Sequence, residues 1–205
     1  MRHTAWVLAY HGCDREIGEA VLLGKQEILP SNNDYDWLGE GAYFWENSYS
    51  RALNWAQFLK KNSKLSPTKI SEPFVVGVII NPGNCLDLTE AESLGILKAA
   101  HDEFKELMAM VDMPMPQNEP GRPGDEDLVK RKLDCAVVNY LHTISRSQNP
   151  KMPEFDTVRG PFMEGGALYE GSKFHANTHI QWCVRFPAKN IFAYFRPREQ
   201  ERKPG

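Results

Sequence analysis

Three short stretches of the sequence carry polar and aromatic side chains where the pattern predicts strand ends. They are YHG at 10–12, GEGAYFWE at 39–46 and THIQWCVR at 178–185. A histidine can donate or accept a hydrogen bond, a tyrosine ring offers a flat surface for stacking, and a glycine lets a ligand approach the backbone closely. Because such side chains can converge on a cleft at the edges of strands, the three stretches together predict a ligand site.

Each of the three most prominent side chains also has a purely structural interpretation. His11 could be a hydrogen-bonded histidine at the end of a strand, Tyr43 could belong to the core, and Gln181 could be an ordinary strand residue. The glycines at 39 and 41 favour the functional interpretation of Tyr43, because they let the chain turn tightly just before it.

The elements that must position these residues follow from hydrophobic periodicity and turn formers. The pattern predicts strands at 5–10, 42–45, 74–80, 179–186 and 191–195, and helices from about 14, over 49–62, 89–111 and 128–144. Ser48 is a candidate N-cap, and Thr89 with Glu92 fits a capping box. The stretches 113–127 and 145–161 are rich in proline, glycine and polar residues and predict irregular structure. We therefore expect one α+β domain over 1–205, with a helical insertion at about 89–160.

Composition narrows the class of protein. The chain has 205 residues, 41% of them hydrophobic, and a formal net charge of −3, which is not the strongly basic balance of a nucleic-acid-binding protein. The longest apolar run, at 74–80, is too short to span a membrane, and the N-terminus lacks the features of a signal peptide. The four cysteines stand far apart, which predicts buried thiols and no zinc motif. We expect a cytoplasmic protein with no membrane partner and no metal.

Taken together, the YHG, GEGAYFWENSYSRALNWA and HIQWCVR stretches resemble the ADP-ribosyltransferases. The resemblance is to the diphtheria-toxin-like branch, which includes the poly(ADP-ribose) polymerases and carries a His-Tyr-Glu triad. It covers about the first 80 residues and about the last 40. It implies a split β-sheet core and NAD as a substrate, and it does not account for the middle of the chain.

The resemblance also implies roles for individual residues. His11 would donate a hydrogen bond to a ribose hydroxyl of the adenosine half of NAD, the backbone of Gly12 would hold the nicotinamide carboxamide, and Tyr43 would stack on the nicotinamide ring. Gln181 falls where the family has its catalytic glutamate. Glutamine keeps a hydrogen bond to the ribose but lacks the negative charge and cannot act as a general base.

Further contacts follow from the same resemblance. Residues placed near NAD are Cys13, Ser31 and Trp55, and residues placed on the loop that faces the acceptor are Glu170, Ser172, His175 and His179. Because Gln181 cannot act as a general base, activation of the acceptor is either unnecessary or comes from another residue, for which Glu170, His175 and His179 are candidates.

The resulting hypothesis is a mono-ADP-ribosyltransferase that moves ADP-ribose from NAD to a macromolecule and releases nicotinamide. The resemblance suggests a toxin or anti-phage effector, with a protein, DNA or RNA acceptor and an antitoxin or other regulator as partners. One alternative is a non-catalytic module that binds NAD, ADP-ribose or nucleic acid through a degenerate site, which Gln181 favours. Another is NAD-dependent removal of a 2′-phosphate from RNA, for which Arg15 is the only arginine near the YHG stretch.

Overall fold

The structure is a computed structural model, and it describes residues 5–63, 69–121, 124, 127–147 and 154–200. Seven strands of this part of the chain form one mixed sheet in the order β4-β5-β6-β2-β1-β3-β7. The strands are β1 (Val7–Asp14), β2 (Ala42–Glu46), β3 (Pro73–Ile80), β4 (Cys85–Asp87), β5 (Thr157–Phe162), β6 (His179–Val184) and β7 (Ile191–Phe195). The β4–β5 pair is parallel and the other pairs are antiparallel.

Helices cover both faces of this sheet. They are α1 (Arg15–Leu22), α2 (Tyr49–Lys61), α3 (Ala91–Met110), α4 (Lys132–Ser147) and α5 (Pro187–Asn190), and a 3-10 turn follows at Arg198–Gln200. Helix α1 begins where expected, because the Asp14 carboxylate accepts a hydrogen bond from the Glu16 amide at 3.0 Å and caps the first turn. None of the helices in the described ranges has the length and apolar character needed to cross a bilayer.

The core is divided by the sheet. On one face Phe44, Phe74 and Trp182 pack with Val21 of α1. On the other face α3 and α4 lie over the end of the sheet that contains Val158, and α2 lies over β1 and β3. The four cysteines are buried and free, as the sequence predicts.

The mixed sheet with its helices is an α+β arrangement, which confirms the predicted class. The segment expected to be a helical insertion, 89–160, contains α3 and α4, which pack against each other. Its last residues do not belong with those helices, since β5 starts at Thr157 and lies inside the sheet between β4 and β6.

Several predicted boundaries are wrong. Strand β1 does not end at Tyr10 but continues to Asp14, since β3 pairs with all of it. The segment 145–161 is not wholly irregular, because it contains most of β5, and β4 was not predicted at all. Helix α4 begins at Lys132, four residues after the predicted start.

Neither of the two predicted side-chain caps forms. Ser48 occupies the N-cap position of α2 without a capping hydrogen bond from its side chain. The capping box is wrong because α3 begins at Ala91, and the Thr89 hydroxyl donates instead to the Asp87 carboxylate at 2.7 Å.

One buried histidine of α4 should make stability depend on pH. His142 is 3% exposed, and within the described part of the chain neither ring nitrogen has a hydrogen-bond partner. Burial, with help from Arg185 and Arg146, lowers its pKa to about 3. The unfolded chain therefore binds a proton between pH 6.5 and 3 that the folded chain does not, so the free energy of unfolding falls as the pH falls through this window.

Replacing His142 with leucine should remove the contribution of this histidine to the pH dependence of the free energy of unfolding. Between pH 6.5 and 5 the wild type should lose about 2 kcal/mol of unfolding free energy more than the His142→Leu variant. Urea unfolding of both proteins at the two pH values measures the difference. Parallel pH dependences in the two proteins would show that His142 is protonated, or accessible, in the folded state.

Candidate active site

Strands β1 and β2 pair over a short stretch and then separate. Their ladder joins Ala9 to Glu46 and Tyr10 to Trp45, whereas β1 pairs with β3 along its whole length. From His11 onward, the described residues of β1 and β2 form no further ladder pair. The sheet therefore opens between β1 and β2 at the YHG stretch.

The peptide groups of Gly12 are directed into this opening. In an antiparallel ladder, alternate residues direct both their N–H and C=O groups to the same neighbouring strand. The Leu8 carbonyl accepts a hydrogen bond from the Asn47 amide, just past the end of β2, at 3.0 Å. Gly12 lies four residues after Leu8 and so presents its N–H and C=O to the same side, where pairing with β2 has stopped.

Close packing of helix α2 is a reason for glycine at position 12 that the sequence did not indicate. A Cβ atom there would lie 2.0 Å from the carbonyl oxygen of Ala52 and 3.3 Å from the Ala56 methyl group. Helix α2 thus packs directly on the backbone of β1, which requires glycine whether or not a ligand binds. The ligand role predicted for the Gly12 backbone stays a prediction.

The His11 ring is fixed at the edge of the opening. Its Nδ1 lies 2.8 Å from the carbonyl oxygen of Tyr43, and its ring centroid is 5.6 Å from that of Phe44. A carbonyl oxygen can only accept, so Nδ1 carries the proton and Nε2 of the neutral ring is an acceptor. Burial lowers the pKa of His11, and the hydrogen bond to Tyr43 opposes this only in part. His11 would therefore accept a hydrogen bond from a ribose hydroxyl, rather than donate one as the sequence suggested.

Tyr43 is held by its hydroxyl group. The hydroxyl donates to the Gly39 carbonyl at 2.8 Å and accepts from the Leu38 amide at 3.0 Å. The ring packs against the core under α3 and α4, and burial raises its pKa well above the ordinary value. The structure thus gives Tyr43 a clear anchoring role for the preceding loop, and stacking on nicotinamide stays a prediction.

Removing the Tyr43 hydroxyl should therefore destabilise the fold. In Tyr43→Phe, the Leu38 amide and the Gly39 carbonyl both lose a buried partner, which should lower the free energy of unfolding by about 1–3 kcal/mol. Denaturant unfolding measures this directly. If Tyr43→Ala lowers NAD turnover more than Tyr43→Phe does, the difference measures the contribution of the aromatic ring. A phenylalanine variant as stable as the wild type would show that the loop is held by other contacts.

Gln181 is oriented by a tryptophan that the sequence analysis did not single out. The Trp37 indole N–H donates to Gln181 Oε1 at 2.6 Å. Because the indole N–H is only a donor, this bond fixes which end of the amide faces Trp37 and directs the Gln181 Nε2 hydrogens away from it. Gly160, the cross-strand neighbour of Gln181, makes room for Trp37, since a Cβ at Gly160 would lie 2.7 Å from the indole ring.

The predicted triad lies on three adjacent strands, but not on one face. Gln181 on β6 is opposite Trp45 on β2, whose partner on β1 is Tyr10. His11 is one residue further and alternates to the other face, where it meets Phe44. Strand spacing places β1 about 10 Å from β6. A ligand that touches both His11 and Gln181 must therefore pass through the opening between β1 and β2.

The four predicted acceptor-loop residues have different positions. Glu170 is exposed, and the Ser172 hydroxyl is engaged by the backbone of Phe174. His175 pairs through its backbone with Ala167 inside the loop. His179 is different, because it is the first residue of β6, is buried, and alternates onto the same face as Gln181.

The remaining predicted NAD contacts are dispersed. The Cys13 thiol belongs to the core beside α1, where burial raises its pKa to about 12, so a contact from this residue would come from its backbone. The Ser31 amide donates to the Gly41 carbonyl at 2.8 Å, and this pairing fixes the loop before β2. Trp55 on α2 is 43% exposed and stacks on Phe58 at 5.7 Å.

Sequence reasoning also missed an ion-pair cluster beside Trp182. Arg159 on β5 lies 2.7 Å from Glu46 and 3.1 Å from Asp87, with all three side chains mostly buried. The Trp182 indole N–H donates to Glu46 at 2.7 Å. These residues are scattered along the chain, so no local signal joined them. The cluster ties β2, β4 and β5 together, which is a structural role.

The fold and site define a mixed α+β protein with an opening in its sheet at the His11–Gly12 edge. The chain is 36% identical over 196 residues to the uncharacterised protein MJ0359 of Methanocaldococcus jannaschii, an alignment that covers 87% of this chain and 82% of that protein. The chain belongs to the same family as that protein. No protein-family model matches the chain, and no solved structure matches it.

Proposed function

We propose that this protein is an ADP-ribosyltransferase, which transfers ADP-ribose from NAD to a macromolecule and releases nicotinamide. The observation that carries the proposal is the opening between β1 and β2, with the Gly12 peptide groups and the His11 ring at its edge. An opening at this point supports the proposal, because the sequence resemblance implies a sheet that is split near the YHG stretch.

The chemistry of the opening suits the carboxamide of nicotinamide. A carboxamide has one acceptor oxygen and an NH₂ donor, which is the same pair of groups that a neighbouring strand would offer to Gly12. Where β2 has turned away, a carboxamide can complete the ladder in its place. The nicotinamide end would then sit at Gly12, and His11 Nε2 would accept a hydrogen bond from a hydroxyl of the other ribose.

Gln181 would act on the ribose next to the bond that breaks. Cleavage of the bond between nicotinamide and ribose leaves positive charge on the ribose. The electron pair of the broken bond stays with nicotinamide and neutralises the charge of its pyridinium ring. Since Oε1 accepts from Trp37, the free Nε2 hydrogens can hold a ribose hydroxyl oxygen. This fixes the ribose in position but supplies no negative charge, so Gln181 contributes orientation rather than charge stabilisation.

The experiment that tests the proposal is transfer of label from NAD. The purified protein is incubated with NAD labelled in the adenylate part, together with separate protein, DNA and RNA pools from a cell extract. We expect label to become covalently attached to one pool while free nicotinamide appears. Attachment to none of the pools, with NAD left intact and the protein folded, would contradict the proposal.

A second candidate function is non-catalytic binding of NAD or ADP-ribose. The position of Gln181 favours it, because an uncharged amide engaged by Trp37 is poorly suited to stabilise a cation. Calorimetric binding of NAD without release of nicotinamide would establish this candidate. The 2′-phosphotransferase hypothesis gains no support, because Arg15 pairs with Glu72 at 2.7 Å and lies over Phe74 rather than facing the opening.

A further inference from the structure

Three side chains beside Gln181 have buried polar atoms without a partner among the described residues. They are Trp45 Nε1, Arg51 Nε and His179 Nε2. Trp45 is 5% exposed and His179 is 8% exposed. Their ring centroids are 6.3 Å apart, and Arg51 Nη2 lies 3.4 Å from His179 Nδ1. The three side chains therefore form one group, which we call the polar cluster.

The hydrogen bonds of His179 fix which ring nitrogen carries the proton. Nδ1 lies 2.8 Å from the carbonyl oxygen of Asn177, which can only accept, and 3.4 Å from Arg51 Nη2, which can only donate. The shorter contact decides, so Nδ1 carries the proton and donates to Asn177. Burial lowers the pKa of His179 to about 4, and the nearby Arg51 adds to this effect. The ring is therefore neutral at pH 7, and the Nε2 lone pair has no partner in the part of the chain that the structure describes.

Leaving such groups unpaired is costly. A buried polar group without a partner costs about 1–3 kcal/mol, and native proteins seldom contain several together unless a ligand or water satisfies them. The polar cluster offers two N–H donors, from Trp45 and Arg51, and one acceptor, His179 Nε2. A group that both accepts and donates hydrogen bonds would satisfy all three.

We infer that the polar cluster receives the nucleophilic group of the acceptor and that His179 Nε2 takes its proton, an inference that rests on the proposed function. In this step a lone pair of the acceptor forms the new bond to the ribose carbon, while the bond from that carbon to nicotinamide breaks and its electrons stay with nicotinamide. The acceptor proton passes to Nε2 and then to solvent. His179 thus supplies the proton acceptor that Gln181 cannot.

A weakly basic histidine is sufficient for this step. When a hydroxyl oxygen, or a nitrogen whose lone pair is delocalised, adds to a cationic ribose, it becomes positively charged and strongly acidic, so its proton leaves readily to a weak base. His179 and Gln181 lie two residues apart on one face of β6, about 7 Å along the strand. An acceptor group between their side chains could reach both Nε2 and the ribose that Gln181 holds.

The segment 163–178 borders the polar cluster through Glu164 and Asn177. Glu164 in this segment forms an ion pair with Arg51, and the Gly165 amide donates to Asp127 at 2.7 Å. Gly165, Gly166 and Gly171 all have positive φ angles, positions where the chain can change direction at little steric cost. Movement of this segment would expose Nε2 to an acceptor.

The cluster also restricts the chemistry of the acceptor. His179 Nε2 needs a proton from its ligand, whereas a carboxylate has none at neutral pH and would direct a charged oxygen at the lone pair. The acceptor group is therefore a hydroxyl or an N–H group, and not an Asp or Glu side chain. The linkage formed has no acyl carbon for hydroxylamine to attack, so it should survive a brief neutral hydroxylamine treatment that cleaves a carboxylate ester.

Two variants of His179 separate its chemistry from its packing. In His179→Asn the amide N–H can replace Nδ1–H toward Asn177, while the Nε2 lone pair is lost. We expect His179→Asn to label its acceptor pool about 100-fold or more slowly than the wild type does. Its affinity for NAD, measured by calorimetry, should be unchanged. His179→Gly should be equally impaired and should recover when free imidazole is added. His101→Asn, the same change at the surface of α3, is the matched control and should behave like the wild type.

The outcomes distinguish failure of this inference from failure of the proposed function. If the wild type neither labels any pool nor releases nicotinamide, the proposed function itself fails. If the wild type transfers label and His179→Asn does so equally well, the inference is overturned. Loss of activity in both variants without imidazole rescue, or release of the adduct by brief hydroxylamine treatment, would also overturn it.

Discussion

Replacing Gln181 with alanine is expected to lower the rate of nicotinamide release by about two to three powers of ten. The change removes the donor that would hold the ribose in the transition state, and loss of one such donor typically has this effect. The backbone pairing of β6 does not depend on the side chain, so the fold should survive. Steady-state release of nicotinamide, with circular dichroism as the check on folding, measures the effect.

Two further variants test how Gln181 acts. Trp37→Phe keeps the aromatic packing but removes the N–H that orients the amide, so it should lower turnover in the same direction by a smaller factor. Gln181→Glu should keep nicotinamide release and increase hydrolysis of NAD by water, because it adds the negative charge that stabilises a cationic ribose. Full activity in Gln181→Ala would show that the catalytic position lies elsewhere on this face.

Replacing His11 with alanine is expected to weaken NAD binding or turnover at least tenfold, about 1.4 kcal/mol. The variant loses the Nε2 acceptor that would hold a ribose hydroxyl, and nothing fills its place. It also loses the bond to the Tyr43 carbonyl, so part of the effect could be structural. Isothermal titration with NAD measures the affinity.

His11→Asn separates the two contributions. Its amide N–H can still donate to the Tyr43 carbonyl, but it has no group at the position of Nε2. We therefore expect His11→Asn to be as stable as the wild type and nearly as impaired toward NAD as His11→Ala. Wild-type affinity in a folded His11→Asn protein would remove His11 from the ligand site.

Local sequence patterns were sufficient to predict those strands and helices that consist of an apolar run between turn-forming residues. Strands β2, β3 and β7 and helix α2 follow from apolar runs bounded by turn formers. Strand β5 was missed because TVRGPF contains arginine, glycine and proline. Its proline is tolerated because Pro161 lies past the short β4, on an edge that needs no N–H from it.

The site could be predicted only in part, for a related reason. His11 and Gly12 stand in the YHG stretch and Tyr43 stands in the GEGAYFWE stretch, and the structure brings the His11 ring to the Tyr43 carbonyl at the opening in the sheet. Trp37 reaches Gln181 across 144 positions of the chain, and the polar cluster forms only when α2 and the start of β6 meet β2. No pattern within a single segment records such contacts.

Transfer of ADP-ribose from NAD with Gln181 at the catalytic position is tested most directly by measuring free nicotinamide. The amount formed from NAD by the purified wild-type protein is compared with the amount formed by Gln181→Ala under the same conditions. Chromatographic quantification gives both nicotinamide and the ADP-ribose product. We expect the wild type to release nicotinamide in equal amount to the ADP-ribose formed or transferred, and the variant to do so at least 100-fold more slowly. Intact NAD after prolonged incubation with folded wild-type protein and the macromolecular pools, or equal release by both proteins, would contradict this expectation.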